Sequence, residues 1–335
     1  MKIRAIALAI ISFLICGFLV SCKQTPDVRG TETPLPSGIT TQDYRPAMDG
    51  YATSYLGGAN TSGTTDEMKI LNMLYLPDGE DVDLEFGVAG SSPTVIMKLY
   101  YDYQPIAFKP TEEEIYADEY VFKMEDGTKT QISISLDKDK TISDNKIHKL
   151  LITFTTGYHQ KAMDFDRVTD EYGISLIYDV VSTPDYSGEV YIPFEYEATP
   201  PEDNFDKNIS NLIFNFDYEN SEQLSSGGIR NPLPKFESEG GISLPMMYNV
   251  MKNGADSALL LLTLNFNQID INGEAYKLIR LDGKEGMANG KLNFNVPNET
   301  GDYDIIGYVI LRPFEKIGEG SNMVYTSPRF TLSTH

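Results

Sequence analysis

Tryptophan is absent from this chain, and its only cysteines are Cys16 and Cys22. Beyond residue 22 there is no thiol, which excludes disulfides, thiolate metal sites and cysteine nucleophiles from any folded part. Without indole, the largest flat platform for sugar rings is missing and tyrosine must take that role. Histidine is nearly absent as well: only His148, His159 and His335 could supply a base near neutral pH, and they lie far apart in the sequence. His148 flanks a strand pattern and reads as a solvated edge residue. There is no nucleophile-elbow glycine frame, no helical His pair and no phosphate-cradling Gly loop. These absences point away from an enzyme, although 49 acids leave an acid/base carboxylate pair open. Basic residues are few, 27 against those 49, for a formal net charge of −22. Such a balance argues against nucleic acid as a partner and against electrostatic docking on anionic lipid.

What is present starts with the leader. Met1 to Arg4 is a short basic start, Ala5 to Val20 carries no charge, and Leu19-Val20-Ser21-Cys22 closes the segment. That ending has the form of a lipobox, and the leader resembles those of bacterial lipoproteins, of bacteroidete type. The resemblance implies that residues 1–21 are a signal peptide and that Cys22 becomes the acylated first residue, a membrane-lipid anchor through palmitate-type chains. Cys16 is a poorer candidate, because Phe13-Leu14-Ile15 sets a bulky β-branched side chain where the peptidase takes a small one. A transmembrane anchor needs about 20 apolar residues, and the run is too short to be preferred. Removing residues 1–21 takes away Lys2 and Arg4 but no acid, so the mature chain is more acidic still. The expected location is the cell envelope, as an outer-membrane lipoprotein. Lys23-Gln24-Thr25-Pro26-Asp27 lacks the acidity of the surface-export signal known in that group, so which face of the membrane it occupies is left open.

Residues 22–43 are rich in Thr, Pro and Gly, with Pro26, Pro34 and Pro36, and read as a disordered tether. About 20 such residues span roughly 25 Å on average. A second punctuation, Ala198-Thr199-Pro200-Pro201-Glu202-Asp203-Asn204, separates two stretches of strand pattern, giving domains at 44–198 and 205–335. In the first, period-two alternation marks Val82 to Phe86, Ile132 to Leu136 and Ile174 to Tyr178. Pro93 to Tyr100 and His148 to Phe154 have the continuous apolar character of buried strands. Asp126-Gly127 signals a hairpin between Tyr120-Val121-Phe122 and the Ile132 strand. Thr111 to Glu114, after Pro110, carries a capping box and predicts a helix of two or three turns. In the second, Leu212 to Tyr218 alternates, Leu259 to Leu264 is a buried strand, and Asn272-Gly273 turns toward Tyr276 to Ile279. Leu292 to Val296, Asp302 to Leu311 and Met323 to Leu332 complete the series. Short strands broken by turns predict an all-β chain of two antiparallel β-sandwiches in tandem.

Gly301-Asp302-Tyr303-Asp304-Ile305, followed by Ser327 to Leu332, resembles the last two strands of immunoglobulin-like domains. Tyr116 to Leu136 is similar to Calx-β-like modules of bacteroidete lipoproteins. Such exported sandwiches carry function in their end loops. Tyr101 and Tyr103, in Leu99 to Pro105, lie near acids and amides and are candidates for stacking on a glycan. Asp164, Asp166, Asp170 and Glu171 could supply hard oxygen ligands to Ca²⁺, but the spacing fits no EF-hand loop, Arg167 offsets part of their charge, and a solvated acidic loop is the favoured reading. No other cofactor is expected. Asp256-Ser257-Ala258 resembles the O-glycosylation signal of bacteroidete exported proteins, which makes Ser257 a candidate acceptor. The leading expectation is a lipid-anchored binding module, for glycan or a surface protein. The alternative follows from a resemblance to bacteroidete fimbrial subunits, trimmed at an arginine such as Arg29 or Arg45 and polymerised by strand exchange.

Overall fold

A computed structural model of the chain describes residues 53–77, 81–89, 94–123, 129–156, 173–193, 214–215, 235–283, 286–319, 324–327 and 329–335. The leader with Cys22, the tether, the 198–205 boundary and the Asp164, Asp166, Asp170 and Glu171 loop lie outside these residues. The described part is all-β, two antiparallel sandwiches built from four sheets. The first sheet runs β1 (Thr53–Asn60), β3 (Asp81–Ala89), β8 (Lys129–Leu136), β6 (Phe108–Pro110). The second runs β2 (Met73–Tyr75), β10 (Gly173–Val181), β9 (His148–Thr156), β4 (Thr94–Tyr101), β5 (Gln104–Pro105), with β7 (Tyr120–Lys123) also paired to β4. The third runs β11 (Phe214–Asn215), β13 (Ser243–Met251), β17 (Met287–Asn295). The fourth runs β12 (Lys235–Ser238), β20 (Phe330–Thr334), β18 (Gly301–Leu311), β14 (Ser257–Leu264), β15 (Asn267–Ile269). Within it, β16 (Lys277–Arg280) also pairs with β14, and β19 (Val324–Thr326) with β18. Only β2–β10 and β12–β20 are parallel pairings among these strands.

Strand alternation determines how the sheets stack. Val82, Leu84 and Ile134 of the first sheet share a core with Met97, Leu150 and Ile152 of the second. Met246, Tyr248 and Leu292 of the third share another with Leu260, Leu262 and Val309 of the fourth. The opposite faces of the second and fourth sheets also meet: Tyr100, Leu151 and Ile177 form one buried cluster with Leu259, Leu261 and Tyr308. Consecutive residues of β9 and β14 thus point into different cores, because successive side chains of a strand alternate between faces. That double burial is why Leu150-Leu151-Ile152 and Leu259-Leu260-Leu261-Leu262 are apolar without a break. The sandwiches therefore lie face to face as four layers, in the order first, second, fourth, third sheet.

Two local expectations are corrected. Thr111 does not cap a helix: its hydroxyl donates to Ser133 O (3.0 Å) and Asp81 Oδ2 (3.2 Å), which ties the segment to the first sheet, and residues 111–116 form turns and bends. The α-helix among the described residues is α1 (Asp66–Ile70), where Thr65 Oγ1 accepts from Met68 N at 3.3 Å. Nor do β7 and β8 form a hairpin about Asp126-Gly127, because β7 pairs with β4 in the second sheet and β8 with β3 and β6 in the first. Asn272-Gly273 is a turn as expected, with φ of 54° and 84° closing the Ile271–Glu274 bridge.

Candidate functional site

The register of β3 against β8 places Asp81 opposite Ser135, Asp83 opposite Ser133 and Glu85 opposite Gln131. Period two puts the three acids on one face, turned away from Val82 and Leu84. Ser135 and Ser133 donate their hydroxyls to Asp81 and Asp83, and Gln131 Nε2 donates to Glu85 Oε2 at 3.2 Å. The result is a ladder of carboxylates, each held by a neutral donor on the next strand. Asp83, Glu85, Gln131 and Ser133 line a cleft of about 970 Å³, with Asn60 at the end of β1 and Ser175 of β10. Ile317 and Val324 of the second sandwich complete its wall, and among the described residues Lys69 supplies its basic side chain. The buried carboxamide oxygen of Asn60 has no hydrogen-bond partner. Tyr178 is fixed beneath, its hydroxyl accepting from Ala59 N at 2.9 Å. Chemically the cleft offers paired acceptors and donors in a half-enclosed polar space, suited to an uncharged polyhydroxylated ligand.

His148 is not a solvated edge residue. It is 1% exposed, with Nδ1 at 2.7 Å from Asp102 Oδ2 and Nε2 at 3.1 Å from Asp144 Oδ1. Tyr101 stacks on the imidazole at 5.2 Å between centroids, and Tyr191 lies at 4.8 Å on a tilted plane. Burial lowers its pKa, but the bonds and charges of Asp102 and Asp144 outweigh that and hold it above the ordinary value of 6.5. Asp102 Oδ1 also accepts Lys149 N at 3.0 Å, so one carboxylate ties the turn after β4 to β9. Sequence inspection misses this cluster because His148 and Asp102 are 46 residues apart, and the i,i+4 pair of Asp144 and His148 shows only one of the two carboxylates. Asp102 at φ 48° and Tyr103 at φ 66° make the tight turn that follows β4.

Tyr101 and Tyr103 do not form an open platform. Tyr101 is 6% exposed, and its hydroxyl donates to Ile142 O at 3.3 Å beside a smaller pocket of about 250 Å³. Tyr103, at φ 66° and 1% exposed, packs edge-on against Tyr276 and Phe314 and donates to Pro313 O at 2.5 Å. Its ring is enclosed between the sandwiches, so stacking on a sugar is replaced by stacking within the protein. Ser257 begins β14, half-buried, with its carbonyl accepting Arg312 N at 3.0 Å. Among the described residues, no group of three His, Cys, Asp or Glu is arranged to hold a metal ion, and no helix is long and apolar enough to cross a membrane.

No family model and no curated protein sequence matches the chain. Solved structures match at low similarity. The YadV chaperone is 10% identical with a TM-score of 0.24, over 82% of this chain and 99% of its own. The CsuC–CsuE chaperone–tip adhesion subunit complex of Csu pili from Acinetobacter baumannii gives 11% and 0.21, over 79% and 96%. The C-terminal domain of the Streptococcus pyogenes antigen I/II-family protein AspA gives 8% and 0.23, over 86% and 100%.

Proposed function

We propose that this chain is an outer-membrane lipoprotein, anchored through acylated Cys22, that binds glycan in the β3–β8 cleft and does not transform it. The observation carrying this reading is the ladder of Asp83–Ser133 and Glu85–Gln131 pairs along a cleft of sugar-accommodating size. Carboxylate and carboxamide groups fixed by neighbours bind hydroxyls without first losing side-chain freedom. Asn60 adds an acceptor that the protein itself leaves unpaired. The binding-only reading draws on His148, whose imidazole is sealed between its carboxylates and two aromatic rings.

The test is glycan-array binding of the chain from Gly30 to His335, with and without Ca²⁺. Binding that is lost in Asp83→Ala with Gln131→Ala, and keeps its strength without Ca²⁺, supports the cleft. Dependence on Ca²⁺ transfers the site to the Asp164 loop. No binding, together with ladder formation after trimming at Arg29 or Arg45, supports the fimbrial reading instead. Among the described residues the first strand is β1, which starts at Thr53, after both arginines, so neither cut removes it from its sheet.

A further inference from the structure

Lys149 and Asp179 are direct cross-strand partners on β9 and β10, each with a side chain 1% exposed. They point into the cluster between the sandwiches, on the same face as Leu151 and Ile177. Lys149 Nζ stands 2.5 Å from Asp179 Oδ1 and 2.5 Å from Glu315 O, and Ile317 N donates to Asp179 Oδ2 at 2.9 Å. An ammonium has three hydrogens to donate and a carboxylate about four lone-pair sites to fill, and a buried ion pair is costly unless they are met. Outside the pair itself, the described residues present it with one acceptor, Glu315 O, and one donor, Ile317 N. That set is what a secondary amide requires: one N–H to give and one C=O to fill.

We propose that Lys149 and Asp179 are a modification site at which the two side chains condense into an intramolecular isopeptide bond. Nζ attacks Cγ of Asp179, forming the C–N bond, while Oδ2 takes the developing negative charge against Ile317 N–H. The Cγ–Oδ1 bond then breaks, and Oδ1 leaves as water carrying two protons, both from Nζ when the pair starts as ammonium and carboxylate, one from Nζ and one from the acid itself when it starts as amine and carboxylic acid. Starting from ammonium and carboxylate, or from amine and carboxylic acid, the step balances with one water released and no co-reactant. The product amide donates its N–H to Glu315 O and keeps Ile317 N–H on its oxygen. Burial lowers the pKa of Lys149 and raises that of Asp179, moving both toward the neutral forms that react. The bond would close a loop across 30 residues of sequence. A chain without thiols beyond Cys22 would thereby gain the constraint on its unfolded state that other exported proteins take from disulfides.

The test is tryptic mass analysis of the full-length chain purified from membranes. The expected result is Ile147–Lys161, uncleaved at Lys149, joined to Val168–Lys207 and lighter than the two peptides together by one water. Lys149→Arg and Asp179→Ala each remove that species. Recovery of wild-type Ile147–Lys149, Leu150–Lys161 and Val168–Lys207 as separate peptides, from protein shown to be folded by circular dichroism, overturns the proposal.

Discussion

Leu261 offers a direct perturbation of the four-layer stack. It is fully buried on β14, and its side chain belongs to the cluster shared by the second and fourth sheets, whereas Leu260 next to it faces the core of its own sandwich. If the sandwiches were independent beads, the Leu261 face would lie in water, and Leu261→Ala would change stability by no more than about 0.5 kcal/mol. In the stacked arrangement the same change removes buried methyl groups and leaves a cavity, costing about 2–5 kcal/mol, as much as Leu260→Ala. Urea denaturation followed by near-ultraviolet tyrosine dichroism measures the difference, and amide hydrogen exchange shows where it is felt. Both halves should lose protection in Leu261→Ala, because cavity formation at the shared interface weakens each sandwich's hold on the other. A cost below about 0.5 kcal/mol, or lost protection confined to residues 235–335, would refute the stacking argument.

Stability should also respond to pH through His148. Its pKa is raised in the fold, so its contribution is complete below the unfolded value of 6.5 and is lost as pH rises through the folded value above it. Denaturant midpoints measured between about pH 5 and 9 should fall across that window in the wild type and not in His148→Gln. Asp304 and Arg329 form a buried pair, Arg329 Nε to Asp304 Oδ2 at 2.8 Å, with Thr331 Oγ1 donating to Oδ1 at 2.8 Å. Arg329→Leu strands that carboxylate and should cost about 3–5 kcal/mol by the same denaturation assay. Gly290→Ala should destabilise by about 1–3 kcal/mol, since an added Cβ would lie 2.3 Å from Tyr248 Oη in the core of the second sandwich.

Periodicity made the strands legible, and the reasons are visible in individual elements. Val82 to Phe86 and Ile132 to Leu136 alternate because only one face of the first sheet is covered, and they became β3 and β8. Leu150 to Ile152 and Leu259 to Leu262 do not alternate because both faces are covered, which sequence shows only as burial and not as a partner. Partners were the main loss. The helix expected at Thr111 failed because a long-range bond to Ser133 and Asp81 competed with the local cap. The hairpin expected at Asp126-Gly127 failed because β7 and β8 are claimed by different sheets. For the site, Tyr101 and Tyr103 carried the right chemistry, but their exposure is decided by His148, Tyr276 and Phe314 folding over them. The carboxylate ladder was hidden in plain alternation: Asp81, Asp83 and Glu85 read as the polar half of an ordinary strand. Only the register against β8 pairs them with Ser135, Ser133 and Gln131.

Hydrogen exchange of the chain from Gly30 to His335, with and without the best-bound array glycan, tests the cleft most directly. The account predicts slowed exchange at Asn60, at 83–85, at 131–133 and along 175–178. Protection confined to the Asp164–Glu171 loop, or to the pocket beside Tyr101 and Ile142, would contradict it.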